Sequence, residues 1–322
     1  MIFKTLYIDM NSFFASVEQQ CEPALRGLPL GITATDGDYG ACVAASYEAK
    51  AFGIKTGTRV KEARLLCPNI QFRPSRHRLY VRYNLRIAAV LDRFAELERI
   101  RSVDEFQLAL SGSAKTLSGA ADLVRNMKAA VYEEVGECLR FSAGIGPNHL
   151  LAKIAGKLQK PDGFSWLSQE NLPTALAHLE LDDLPGISRG LKARLLAAGV
   201  SDITTLFGLD PRHARRIWNS VEGERFVRAL NGLDVPLVET KRGSFGNSKV
   251  LAPPLRQPRE AYLVARWLVE KASARIRSEG SVAGKFSLHI SCQNGTQWSR
   301  SVKTAASQDT LTFLTINRSL WR

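Results

Sequence analysis

The chain has 322 residues, 45% of them apolar and 23% charged, with a net charge of +13. That composition describes globular material, and the length accommodates two to four compact units, not one ordinary core. It excludes a chain that crosses a membrane as an apolar helix, because no apolar run reaches about 18 residues. The start, Met1 to Tyr7, runs straight into a strand-like pattern without the layout of a signal peptide. The five cysteines (Cys21, Cys42, Cys67, Cys138, Cys292) include no C-x-x-C pair and read as free thiols. A reducing, cytoplasmic setting is the expectation.

Residues 5–10 (TLYIDM) make a short apolar run holding Asp9, as a buried strand would. Phe13, Phe14 and Val17 follow at helical spacing over 12–20. Gly53, Gly57 and Pro68 punctuate short elements across 41–73. The stripe Leu79, Tyr83, Ile87, Val90, Leu91 and Phe94 predicts a helix over 76–95. Alternation from Arg99 to Leu110, through Ile100, Val103, Phe106 and Leu108, predicts one strand. A helix over 118–135, a strand over 139–145, a Gly-Pro turn at 146–147 and a helix over 149–158 follow. This order predicts an α+β sheet domain with helices on one face.

The segment Leu184-Pro185-Gly186-Ile187, followed by Leu191, Leu195, Leu196 and Gly199-Val200, has the pattern of a helix-hairpin-helix. In that motif a glycine turn lets backbone N–H groups approach a DNA phosphate. Ser188 stands where a second glycine is usual, and a purely structural helical hairpin is the competing reading. Helical patterning lapses over about 232–245, which reads as a linker. Beyond it, 247–252, 258–279, 283–292 and 297–304 alternate between strand-like and helical character.

Residues 241–322 hold 14 Lys/Arg against 4 Asp/Glu, whereas residues 1–240 hold 30 against 27. A basic stretch on a near-neutral body suggests a polyanionic partner, since each phosphate contact releases condensed counterions. A solubilising surface is the plain alternative.

Carboxylates stand in apolar strand-like surroundings at two places, Asp9 in YIDM and Asp104-Glu105 in SVDEF. Such a group is expensive to bury unless it is paired or binds a cation. Successive strand side chains point to opposite faces, so Asp104 and Glu105 can serve one site only at a bulge or strand end. Three carboxylates converging there would suit two Mg²⁺ ions. An isolated Asp-Glu pair is more commonly a solvated surface feature.

YIDMNSFFASVE resembles the opening motif of the Y-family (translesion) DNA polymerases, and RSVDEFQL resembles that family's second acidic motif. ASYEAKAFGIKTG is similar to its fingers motif, and FSAGIGPNHLLAKIAGKLQKPDG to its palm strand-turn-helix with a nucleotide-binding lysine. The four occur in the family's order and spacing from Leu6 to about Asp234. The mixed fingers motif looks closest to bacterial members related to polymerases IV and V, including plasmid-borne mutagenesis proteins.

The resemblance implies a right-hand polymerase: palm over 1–16 and 75–166, fingers over 17–74, helical thumb over 167–232, linker over 233–243 and a DNA-binding little finger over 244–322. It implies that Asp9, Asp104 and Glu105 are catalytic and hold two Mg²⁺ ions, with the Met10 carbonyl as a further oxygen and Mn²⁺ as a substitute. Phe14 would be the steric gate beneath the sugar, with a core aromatic beside Phe13 as the alternative. Tyr47, Lys50 and Lys153 would bind the incoming dNTP. Gly186, Lys192, Arg242, Lys249, Lys285, Arg300 and Lys303 would contact primer-template DNA.

Lys50 stands where arginine is usual, keeping the charge but losing the bidentate fork. Ala44 replaces a frequent hydroxyl residue, and His149 reads as a helix-start residue. Such polymerases commonly add a last strand and a clamp-binding peptide after the point where Ser319-Leu320-Trp321-Arg322 ends this chain. No such peptide is visible, so a sliding clamp or another mutagenesis protein is a partner without a visible anchor. A truncated or naturally short member with an unpaired sheet edge is the expectation. The implied reaction is low-fidelity, template-directed DNA synthesis. A catalytically inactive polymerase-like accessory subunit is the main alternative, and retention of the three carboxylates argues against it. A non-polymerase DNA-binding protein would leave the acidic motifs unexplained.

Overall fold

The computed structural model of the chain describes residues 2–34, 37–236 and 242–322. Its packing divides into two units, Met1–Leu237 and Val238–Arg322. In the first, Thr5–Met10 is a strand (β1) and Phe13–Cys21 a helix (α1). The chain turns sharply between them because Ser12 is left-handed, at φ 47° and ψ 41°. That conformation is uncommon for a residue carrying a Cβ. Strands Leu30–Thr33 (β2) and Cys42–Ala45 (β3) follow, then helices Tyr47–Lys50 (α2) and Val60–Leu66 (α3) and strand Gln71–Pro74 (β4). The three strands form a small sheet in the order β3-β2-β4, packed on Ile32, Ala49, Ile54 and Ile70.

Helix His77–Leu91 (α4) buries Tyr80, Ile87, Ala88 and Leu91. The segment expected as one strand is instead part of a hairpin, Leu97–Ile100 (β5) and Glu105–Ala109 (β6), paired antiparallel. Short polar side chains make the difference. Ser102 Oγ donates to Asp104 at 2.5 Å, and the Arg101 amide donates to the Glu105 carbonyl at 2.9 Å. Such local bonds offer the backbone a turn in place of a ladder. Helix Leu117–Glu134 (α5), strand Phe141–Gly146 (β7), helix His149–Leu158 (α6) and strand Phe164–Trp166 (β8) follow. The resulting sheet has the order β5-β6-β1-β7-β8.

The side-chain period of two divides this sheet's faces by chemistry. Leu6, Ile8, Met10, Phe106, Leu108, Ala143 and Ile145 bury one face with Ile87 of α4 and Val124, Met127 and Val131 of α5. Tyr7, Asp9, Glu105 and Gly144 occupy the other by their register, and α6 packs there. Helices therefore cover both faces, not one as the element order suggested. The second face accepts α6 because β7 presents glycine there. A Cβ on Gly144 would lie 2.1 Å from the Gly156 nitrogen.

Helices Arg189–Ala197 (α7), Ile203–Phe207 (α8), Pro211–Trp218 (α9) and Val221–Leu230 (α10) complete the first unit. They share a core with Leu151 and Ile154 of α6 through Leu181, Leu191, Leu195 and Leu206. The expected helix-hairpin-helix is only half helical. Its first arm consists of short 3-10 turns at Thr174–Leu176 and Leu181–Asp183. Its second arm is α7, whose N-cap is Ser188, bonded from the Leu191 amide.

The second unit comprises helix Pro258–Ser278 (α11), strands Ala283–Ser291 (β9) and Gln297–Ser307 (β10), and helix Thr310–Trp321 (α12). The strands pair antiparallel, and Phe286 stacks on Phe313 of α12 beside Val269 and Ile276 of α11. Residues 247–252 form no strand. Among the described residues, no helix is long and apolar enough to cross a membrane.

Candidate active site

Asp9 lies directly opposite Glu105 in the β1–β6 ladder, so both carboxylates project from the α6 face. Asp104 precedes β6 in the hairpin turn, and its carbonyl accepts the Met10 amide at 2.9 Å. Asp104 thus stands at a strand end, where neighbouring side chains are not held to opposite faces of the sheet. Met10 turns its side chain into the core on the opposite face and can offer this place only its backbone.

Two lysines meet these acids. Lys160 Nζ is 2.6 Å from Asp9, and Lys153 Nζ is 2.6 Å from Glu105 and 3.1 Å from the Tyr7 hydroxyl. Burial pushes the Asp9 carboxyl above its ordinary range despite Lys160, and the charges of Asp104 and Glu105 push the same way. Burial also pushes Glu105 upward, yet the combined pull of Lys153, Tyr7 and Ser102 leaves it below the ordinary value. Burial raises the Tyr7 phenol, with the Glu105 charge adding to it.

Among the described residues, no group of three His, Cys, Asp or Glu side chains is gathered closely enough to ligate an ion as it stands. The chemistry nevertheless suits hard cations, which prefer carboxylate and carbonyl oxygen. Each of two carboxylates already carries an ammonium group as a stand-in for positive charge.

Further cations ring the acids. Burial and neighbouring lysines depress both Lys50 and Lys157. Lys50 Nζ donates to Ser12 at 2.8 Å and lies 4.3 Å over the Tyr47 ring. Burial raises the Tyr47 phenol, and the charge of Asp9 adds to it. His149 is the first residue of α6, and burial disfavours its charged form. Phe14 is half-buried and stacks on Tyr80.

Lys160, which engages Asp9, is a residue of this cluster that the sequence reading did not single out. Asn11 holds its loop, accepting the Asp162 amide at 2.8 Å and donating to Ser142 at 3.1 Å. The signal was present in the run KLQKPDG, where a lysine precedes the proline that ends the helix.

The expected DNA contacts stand in different local surroundings. Gly186 is at φ +93°, with open space where a Cβ would be, so its turn is accessible. Lys192 is held by Glu180 at 3.1 Å and Asp182 at 2.6 Å, so its charge is already spoken for. Arg242 pairs with Glu279, and Lys249 lies over the Trp267 ring. Lys285 and Lys303 are directly opposed in the β9–β10 ladder, on the face away from the helices. Arg300 pairs in register with Leu288 and so shares the helix-side face with Phe286, over the Trp298 ring.

Residues 8–157 match the model of the impB/mucB/samB family, and residues 242–322 match that of its C-terminal domain. A protein of Moorella thermoacetica named DNA polymerase IV is 35% identical over 281 residues, covering 85% of this chain and 70% of the relative. A protein of the same name from Pelotomaculum thermopropionicum is 38% identical over 205 residues, covering 62% of this chain but only 50% of the relative. Among solved structures, a Y-family polymerase chimera of Dbh and Dpo4 superposes with a TM-score of 0.82 at 22% identity, over 98% of this chain and 93% of that one. The chain belongs to the impB/mucB/samB family, the Y-family translesion DNA polymerases, and is a DNA-directed DNA polymerase. Polymerases of this family depend on metal ions.

Proposed function

We propose that the chain extends a primer 3′-hydroxyl with deoxynucleotides at Asp9, Asp104 and Glu105, in low-fidelity synthesis across damaged template. The observation that supports this best is the ladder pairing of Asp9 with Glu105, with Asp104 in the adjoining turn. The five-stranded sheet would be the palm (1–16 and 75–166), the three-stranded sheet the fingers (17–74) and helices α7–α10 the thumb (167–232). The second unit would be the little finger (244–322).

The three carboxylates and the Met10 carbonyl would hold two Mg²⁺ ions, with Mn²⁺ as a substitute. When bound, these supply activation of the attacking hydroxyl and neutralisation of the leaving pyrophosphate. Lys160 and Lys153, each engaged by a carboxylate, would exchange those partners for phosphate oxygens of the dNTP. Lys50 and Tyr47 would meet the same phosphates from α2, Lys50 as a point charge without arginine's fork. Phe14 would exclude a 2′-hydroxyl. In the little finger, Lys285 and Lys303 on the outer sheet face are the best-placed cations for the duplex backbone, while Arg242 is paired with Glu279 and Arg300 lies over Trp298 on the helix-side face.

Asp104→Ala tests the assignment. Extension should fall below about a tenth of wild type, a barrier increase of at least ~1.4 kcal/mol. Primer-template affinity should stay within a few-fold. Extension above that level would remove Asp104 from the chemistry. No extension by the unaltered protein with Mg²⁺ would favour the inactive accessory subunit.

A further inference from the structure

Phe14 does not rest on an indifferent core. Its ring stacks on Tyr80 of α4 at a centroid distance of 4.1 Å and an interplanar angle of 15°. Tyr80 is fully buried, and its hydroxyl donates to Glu18 at 2.8 Å. Glu18 lies one turn beyond Phe14 on α1 and is itself buried, at 1% exposure. Arg76 grips both of its oxygens, through Nε at 3.0 Å and through Nη2. His77 sets its ring edge-on to Phe14 at 6.0 Å and to Tyr80 at 6.2 Å. One turn further along α1, Glu22 takes a second fork from Arg73, at 2.6 and 3.1 Å. Two arginines flanking the end of β4 are thereby fastened to the helix that carries Phe14.

The plain reading is a pair of bridges that merely join α1 to β4 and to the start of α4. Stability alone does not call for a buried carboxylate, because well-packed apolar residues commonly serve a buried ion pair's place as well or better. A phenylalanine at position 80 would also fill the space. The hydroxyl adds direction, since one hydrogen bond to a clamped acceptor fixes where the ring edge lies.

We infer that Tyr80, anchored by Glu18 and Arg76, is a positioning residue that sets the plane and height of the Phe14 ring and so the stringency of ribonucleotide exclusion. This rests on the reading of Phe14 as the gate. The two sugars differ by one oxygen, so a gate tilted by a fraction of its thickness loses discrimination before it loses affinity for the correct nucleotide.

The test is single-nucleotide insertion, comparing kcat/KM for ribo- and deoxyribonucleotides. The proteins are wild type, Tyr80→Phe, Tyr80→Leu, Glu18→Gln, Phe14→Ala and the Phe14→Ala/Tyr80→Leu double variant. Tyr80→Leu should raise relative ribonucleotide use roughly three- to tenfold, the strength of one aromatic pair. Glu18→Gln and Tyr80→Phe should raise it less. Phe14→Ala should raise it most, and the double variant should match Phe14→Ala. If Phe14→Ala opens the gate while Tyr80→Leu and Glu18→Gln leave the ratio at wild type, the inference fails and the gate reading stands. If Phe14→Ala leaves the ratio unchanged, the gate reading fails and takes the inference with it. An equal gain from Tyr80→Leu in the Phe14→Ala background would mean that Tyr80 does not act through Phe14. Should Tyr80→Leu not fold, Tyr80→Phe carries the test, and a wild-type ratio there overturns the anchoring role.

Discussion

Gly144 and Gly156 face one another across the β7–α6 contact, yet alanine should be damaging at the first and tolerated at the second. A Cβ on Gly144 would sit 2.1 Å from the Gly156 nitrogen, 2.3 Å from the Ala152 oxygen and 2.7 Å from the Ala155 carbonyl carbon. All three are backbone atoms of one helix, so no side chain can swing aside. Restoring ordinary contact distances of about 3.5 Å requires α6 to withdraw by more than ~1 Å. Overpacking of this kind costs about 1–3 kcal/mol. For a unit of this size, that lowers Tm by roughly 2–12 °C. The withdrawal also carries Lys153 from Glu105, and a displacement near 1 Å can reduce a catalytic rate by up to ~100-fold. At Gly156 the nearest atom to an added Cβ is the Gly144 nitrogen at 3.3 Å, which a small adjustment relieves. Alanine inside a helix also gains about 1 kcal/mol over glycine. Thermal unfolding and primer extension of Gly144→Ala and Gly156→Ala should therefore separate clearly, with the second near wild type. A Gly144→Ala protein that melts and extends like wild type would refute the close packing of α6, as would equal damage from both.

Asn317 of α12 is fully buried with neither amide atom hydrogen-bonded among the described residues, so Asn317→Leu should raise stability by about 1–3 kcal/mol in urea unfolding. A decrease would show that the amide has a partner in solution. Lys285 and Lys303 are opposed like charges, so Lys303→Ala should not destabilise the protein. It should lower the slope of log K against log salt for duplex binding by roughly 0.9; an unchanged slope would place the DNA elsewhere. Lys160→Met should raise KM for dNTP by roughly tenfold or more, as loss of a charged hydrogen bond does. A wild-type KM would leave Lys160 as a partner of Asp9 alone.

Much of the fold was legible because hydrophobic period and turn chemistry agree. TLYIDM is the central strand, the stripe from Leu79 to Leu91 is α4, and the Gly-Pro turn introduces α6. The misreadings share a physical cause. Over 97–109 apolar residues continue through a hairpin, and only the polar Ser102 and Asp104 mark the turn. The half-helical hairpin before α7 escapes notice because 3-10 turns bury leucines much as an α-helix does. Helices on both sheet faces were signalled by Gly144, Gly146 and Gly156, whose purpose appears only when the partner backbone is in place.

The site shows where local reading stops. Asp9 and Glu105 stand in strands whose surroundings make a carboxylate costly unless compensated, but that they and Asp104 act together was legible only through the family resemblance. Lysines carry no such signal, being ordinary on surfaces, so choosing Lys153 over Lys160 from sequence rests on resemblance alone. Geometry supplies a criterion, which is engagement with an acid of the site, and both satisfy it. Lys192 and Arg242 also engage acids, but acids outside this site. A phosphate would displace those partners as a dNTP would for Lys153 and Lys160. Arg300 lies over the Trp298 ring, which does not neutralise it, and the opposed Lys285 and Lys303 gain most from meeting an anion. A cation that already has a partner meets phosphate by exchange, whereas two opposed cations meet it with relief of repulsion, so the opposed pair is the one from which duplex binding should gain most.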